Sequence, residues 1–360
     1  MLMKRAVQVL VVILFAGNVT GQDGRWILPE NERTSPALWG IRDGIVFSLW
    51  PTPVGILQTG SGGPRGLIRV GYNFKDTSYL INFIAIEPVV NGEMEFSEIS
   101  PSRVDGKVGK LMWASENEDP GRFSPYARTR GTITRPEPEN PEVEELAVYV
   151  FMEKFINGAH PYLRITLRSD RPEEIGLQIF HHDGSAPMER CALTATMGNY
   201  GRVRLLYLKD RVVDSRELYE EFDGMHFIEK EPYPADDLLR DGNGDLIAIV
   251  EPNESFSELA SWPQEPRWYD KKWWRYRPFF KVTQYWRKDG RQFDSSLHVR
   301  VNGRAKYYSG ASTDPSDYYD IPGGVAFENF EMRESYYPGQ QFFFGITRKA
   351  ARDMNVDLDY

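Results

Sequence analysis

The residues best suited to chemistry lie in one short run, "GAHPYLRITLRSD", residues 158–170. His160, Tyr162, Arg164, Thr166 and Arg168 alternate there with Ala159, Pro161, Leu163, Ile165 and Leu167. A strand sends successive side chains to opposite faces, so one face reads as core and the other gathers an imidazole, a phenol and two guanidinium groups. That set suits elimination from an acidic sugar. Arg164 and Arg168 would offset a uronate carboxylate, making the neighbouring proton removable. His160 or Tyr162 would take that proton, and the other would protonate the leaving oxygen.

Neighbouring runs extend the face. In "EELAVYVFMEKF", Leu146, Val148, Val150 and Met152 read as core, with Tyr149, Phe151 and Glu153 opposite. In "EEIGLQIFHHDG", Ile175, Leu177 and Ile179 read as core, with Gln178, Phe180 and His182 opposite. An antiparallel meander of the three runs would bring these polar and aromatic residues together, with His182 as a further catalytic candidate. Tyr149, Glu153, Arg168 and Gln178 would then bind substrate. A solvated sheet face explains the same alternation.

Hydrolysis would need two positioned carboxylates instead. Glu153 is one candidate, and Glu87, inside the apolar run "FIAIEPVV", is another. A second binding surface is expected at "RWYDKKWWRYR", where Trp268, Trp273 and Trp274 interleave with Arg and Lys, a composition suited to stacking on an anionic glycan.

Metal signals are weak. Asp241, Asn243 and Asp245 in "DGNGD" are spaced like the start of a calcium loop, but Leu246 and Pro252 stand where its glycine and closing glutamate belong. Calcium there competes with a plain turn, and no other cofactor is expected. His181 and His182 are adjacent, so a strand would separate them. "LHVRVNGRAKYYSG" reads as a hairpin turning at Asn302-Gly303, with His298 on an outer strand.

The elements that must position these groups are strands. Short alternating or β-branched runs recur between Gly, Pro, Asn and Asp, which predicts an all-β fold. The expected architecture is a large antiparallel β-sandwich, or two packed ones, with one or two short helices. "DSRELYEEFDG" reads as a helix capped by Asp214 and Glu217, and "PADDLLRDG" as a further turn. The expected organisation is a signal peptide over 1–21, an N-terminal β part over 22–210, a helical or loop excursion over 211–244 and a C-terminal β part over 245–360. Residues 1–21 combine a positive start, an apolar run and small residues, which predicts a secreted or periplasmic protein. No later apolar segment is long enough to span a membrane. The formal charge of −9 argues against a nucleic-acid partner. The single cysteine, Cys191, cannot form an intramolecular disulfide and reads as a buried thiol.

At "WGIRDGIVFSLWP", "GGPRGLIRVGY" and "GGVAFENFEMRE" the chain resembles exported β-sandwich proteins of bacterial polysaccharide degradation. Lyases, mutarotase-like sandwiches and noncatalytic carbohydrate-binding modules share that build, and no catalytic residue carries over from it. Composition, site residues and resemblance together lead to one expectation: a carbohydrate-active protein whose partner is a polysaccharide or oligosaccharide. Lyase-type cleavage of an acidic glycan is expected first, with hydrolysis or binding without chemistry as alternatives.

Overall fold

The computed structural model describes residues 24–30, 37–49, 65–121, 129–196, 198–222, 228–229, 232–255, 281–307 and 320–358. The first strands are β1 (Trp26–Ile27), β2 (Leu38–Ile41), β3 (Ile45–Leu49), β4 (Ile68–Phe74), β5 (Thr77–Val90), β6 (Glu93–Met94) and β7 (Met112–Ser115). They are followed by β8 (Thr132–Thr134), β9 (Glu145–Met152), β10 (Pro161–Arg168), β11 (Glu174–His181), β12 (Arg190–Ala195), β13 (Val203–Tyr207) and β14 (Val212–Asp214). A single helical turn, α1 (Ser215–Leu218), separates these from β15 (Ile228–Glu229), β16 (Tyr233–Pro234), β17 (Leu239–Arg240) and β18 (Leu246–Pro252). The last are β19 (Thr283–Lys288), β20 (His298–Arg304), β21 (Ala326–Arg333) and β22 (Gln340–Thr347).

The strands form two eleven-stranded sheets. One runs β1, β2, β3, β4, β5, β12, β21, β20, β15, with β6 beside β5 and β16 beside β20. The other runs β14, β13, β18, β19, β22, β11, β10, β9, β7, with β8 beside β9 and β17 beside β18. The fold is therefore the antiparallel sandwich expected from the sequence. Both sheets mix early and late chain: β12 pairs with β21, and β11 with β22. Among the described residues no helix is long and apolar enough to cross a membrane.

The core lies between the sheets. Leu163, Ile165 and Leu167 of β10 meet it together with Val148, Val150, Leu177 and Ile179, and the facing sheet contributes Ile84, Ile86, Leu193, Val299, Phe330 and Met332. Burying each such side chain contributes about 1.5–3 kcal/mol. Strand alternation then forces Tyr162, Arg164 and Arg168 outward, away from that core. Cys191 is a free, buried thiol, and burial pushes its pKa up.

Two local expectations need correction. The helix foreseen from Asp214 onward is only one turn: Asp214 caps it by accepting from the Arg216 amide at 2.9 Å, and Tyr219 already has non-helical backbone. The reason is tertiary, because Tyr219 is drawn into the core and its hydroxyl donates to the Val301 carbonyl at 3.0 Å. The hairpin foreseen at Asn302-Gly303 is a β-bulge within β20, where the register against β21 shifts. A Cβ on Gly303 would lie 2.5 Å from the Tyr219 ring, so this glycine serves close packing and not a chain reversal.

Candidate functional site

β7, β9, β10 and β11 are consecutive in their sheet, and the registers make a transverse row of rings on its outer face. Trp113 lies opposite Phe151, Phe151 opposite Tyr162, and Tyr162 opposite Phe180. Successive ring centroids are 6.3, 5.2 and 5.3 Å apart, with interplanar angles of 29°, 28° and 19°. Phe151 is fully buried by its neighbours, whereas Trp113, Tyr162 and Phe180 remain half-buried. Tyr149 stacks beside Phe151 at 6.5 Å.

At one edge of the row sit His160 and His182, their centroids 4.1 Å apart, with His182 5.0 Å from Tyr162. The turn carrying His160 is fixed by the Phe155 amide donating to the Ala159 carbonyl at 2.8 Å and by Gly158 at φ +91°. His160 Nε2 lies 3.1 Å from the Met152 carbonyl, an acceptor, so this nitrogen carries the ring proton and Nδ1 keeps its lone pair. Burial, reinforced by His182, lowers the His160 pKa to about 4, and burial lowers His182 as well. Both rings are neutral at pH 7. His182 Nε2 is buried and has no hydrogen-bond partner among the described residues.

At the other edge a polar row runs Ser115, Tyr149, Arg164, Gln178, Gln341 across five strands. Beyond Gln178 and Gln341 the face dips into a cleft of ≈ 320 Å³, bordered also by Arg168, Arg287, Lys288 and Tyr337. The cations here are engaged internally. Arg164 pairs with Glu145 at 2.6 Å, and Arg168 with Glu137 at 2.6 Å and Asp170 at 2.9 Å. Gln178 Nε2 donates to the Gly339 carbonyl at 3.1 Å.

The fold thus brings together His160, Tyr162, His182, Tyr149, Arg164 and Gln178, as the expected meander requires. Arg168 lies farther along the same face. Glu153 does not join them. It follows the end of β9, and its carboxylate accepts from the Ser102 hydroxyl and the Arg103, Val104 and Leu111 amides at 2.7–3.1 Å, which organises the 101–111 loop. His181 faces away from the pair and sits 2.8 Å from the Tyr336 hydroxyl.

At the calcium-like turn, Asp241 Oδ1 accepts from the Asn243 and Asp245 amides at 2.8 and 3.0 Å, and Asp245 is paired with Arg287. Among the described residues no group of three or more His, Cys, Asp or Glu is placed to hold a metal. Trp268, Trp273, Trp274 and the segment 1–21 lie outside the described residues.

Two groups of residues escaped the sequence reading. Trp113 opens the ring row from a four-residue strand, too short for alternation to declare itself. On the other sheet, Thr194, Arg300 and Glu331 join Glu87 on one buried face; the signal was the interruption of "HVRVN" and "NFEMR" by a polar or charged side chain at every second residue. The chain matches no described family model, no curated protein and no solved structure.

Proposed function

We propose that the protein is an exported carbohydrate-active β-sandwich protein that takes a polysaccharide or oligosaccharide chain across the ring row of β7, β9, β10 and β11. The observation that carries this reading is the row itself: four rings in near-parallel stack along about 17 Å, three of them half-open to solvent, flanked on one side by neutral imidazoles and on the other by amide and guanidinium groups. The length is the sum of three centroid steps of about 5–6 Å, the spacing that aromatic neighbours adopt. Flat rings present apolar faces to sugar C–H groups, while Gln178, Gln341, Tyr149 and His182 offer hydrogen bonds to hydroxyls. Capture of the glycan is the role best supported.

Elimination is the second reading, favoured by one observation: His160, Tyr162 and His182 are grouped with neutral imidazoles, and the buried His182 Nε2 awaits a partner. In that reading the base would be an imidazole nitrogen and Tyr162 the proton donor to the leaving oxygen. It requires Arg164 or Arg168 to give up a carboxylate for the substrate.

A panel of neutral and acidic polysaccharides separates the two. Retarded migration through polysaccharide-containing gels without unsaturated product is expected for capture. Growth of the ultraviolet band of unsaturated uronates, abolished in Tyr162→Phe or His160→Ala, would establish elimination. Migration unaffected by every polysaccharide would refute the carbohydrate reading.

A further inference from the structure

The cleft beyond Gln178 and Gln341 is continuous with the ring row. Gln178 and Phe180 stand two residues apart on β11, so alternation puts both on the outer face, one at the cleft and one closing the row. Gly339 borders the cleft and fits between them at φ +81°. A Cβ there would lie 3.5 Å from the Phe180 ring and 3.7 Å from Gln178 Nε2. Glycine at this left-handed position keeps the way from ring to cleft free of a side chain.

The cleft has the size and lining of a small subsite. Its ≈ 320 Å³ reaches the lower end of the range that ligand pockets span, about 300–1,000 Å³. Phe343 supplies an apolar wall, and the Arg287 guanidinium lies over its ring at 4.0 Å from the centroid. Gln178, Gln341 and Gln292 add polar side chains to the wall, and Tyr337 adds a phenol at the exposed rim.

Charge decides what such a cleft accepts. Among the described residues five cations border it, and each already faces a carboxylate. Arg168 pairs with Glu137 and Asp170, Arg171 with Glu174 at 3.5 Å, and Arg291 with Asp289 at 3.3 Å. Arg287 pairs with Glu174 at 2.6 Å and with Asp245, and Lys288 with Glu334 at 2.6 Å. Arg164, nearer the rings, has Glu145. Six cations thus meet seven carboxylates, which leaves this surface no positive charge to spare. Arg287 and Lys288 are buried, so drawing either toward a ligand would strand a buried carboxylate. At the imidazole edge Arg103 and Lys154 donate to the Phe155 and Gly184 carbonyls. Burial, and then the negative charges of Glu118 and Asp183, push the Tyr162 phenol up, so the field at the middle of the row is negative as well.

We infer that the ring row and this cleft together take a neutral glycan, with one of its sugar units seated in the cleft; the inference rests on the carbohydrate reading above and names its substrate class. A sugar hydroxyl both donates and accepts, so it can bond to a wall of paired carboxylates, guanidinium groups and amides without breaking a pair. The carboxylate of a uronate only accepts, and it brings negative charge to a face where carboxylates already outnumber cations, on a chain of formal charge −9. Elimination needs that uronate, so the neutral class and the elimination reading part on one measurement.

The test compares gel retention by neutral glucan-, mannan- and galactan-type chains with retention by the same chains carboxylated at C6, at about 0.05 and about 0.5 M salt. A neutral chain is expected to retain the protein about tenfold or more strongly than its carboxylated form, with less than about a twofold change between the two salt concentrations. Gln341→Leu removes an amide from the cleft wall and keeps its bulk, and retention by the neutral chain is expected to fall about three- to tenfold. Should that variant fail to fold, Gln292→Leu on the exposed rim supplies the same reading. Equal or stronger retention by the carboxylated chain, or retention that collapses in salt, would overturn the neutral class while leaving the carbohydrate reading intact. Full retention in the folded variant would overturn the part given to the cleft. Retention by no chain, neutral or carboxylated, would overturn the inference and the carbohydrate reading together.

Discussion

The outer faces of the two sheets obey the same alternation and reach opposite results. On β7, β10 and β11 the outward rings of Trp113, Tyr162 and Phe180 stay half-open to solvent. On β5, β20 and β21 the outward residues include the charged Glu87, Arg300, Glu331 and Arg333, all of them buried. An exposed row of rings forgoes burial but keeps an apolar surface available for a ligand. Buried charges persist only when each has a partner, and Glu331 has three. Energetic weight and ligand-facing surface therefore sit on different sheets.

The largest effect should come from breaking the buried side of that contrast. Glu331→Ala leaves Arg300 and Arg333 without their shared carboxylate, and a loss of about 3–5 kcal/mol is expected in urea unfolding. A loss below about 1 kcal/mol would mean the strip is wet and its pairs are worth no more than surface ones.

The pH dependence of stability should separate the faces by sign. Burial pushes Glu328 up to about 7 against the pull of Arg304, so its contribution is full below its ordinary 4.5 and is lost as pH rises through 7. His160 runs the other way. Its pKa falls from 6.5 to about 4, so its contribution is full above 6.5 and is lost as pH falls through 4. Melting temperatures across that range should show Glu328→Gln flattening the neutral limb and His160→Gln the acid limb. If either variant flattens the opposite limb, the assignment of that limb is wrong.

Much of the candidate site was legible because its strands are long and alternate cleanly. The eight residues of β10 show period two without interruption, and the inward set Leu163, Ile165 and Leu167 is the core that alternation implies. What sequence could not supply was register and pairing. Nothing in the order of residues says that Phe151 and Phe180 flank Tyr162, or that Arg164 reaches four positions along β9 to Glu145. Glu153 shares the parity of Tyr149 and Phe151, yet it lies past the end of β9, where three loop amides and a serine claim its carboxylate. The strip on the other sheet stayed hidden for a different reason. Its members come from residues 87, 194, 300 and 331, and only the crossing of β12 between β5 and β21 makes them neighbours.

The smallest effect distinguishes capture from elimination. Arg164→Gln removes a half-buried ion pair to Glu145, and stability should change by less than about 1 kcal/mol. If the rings carry binding, gel retention should change less than about threefold, well short of the tenfold that 1.4 kcal/mol represents. A large loss of retention would show that Arg164 leaves Glu145 for the ligand, and would favour elimination.

The most direct test of the glycan-binding account removes the open rings and leaves the charges alone. Tyr162→Ala and Phe180→Ala together are compared with wild type by migration through gels containing the polysaccharides that retard it. Retention should weaken by about tenfold or more, with far-ultraviolet circular dichroism unchanged. Undiminished retention by the doubly substituted protein would contradict the account.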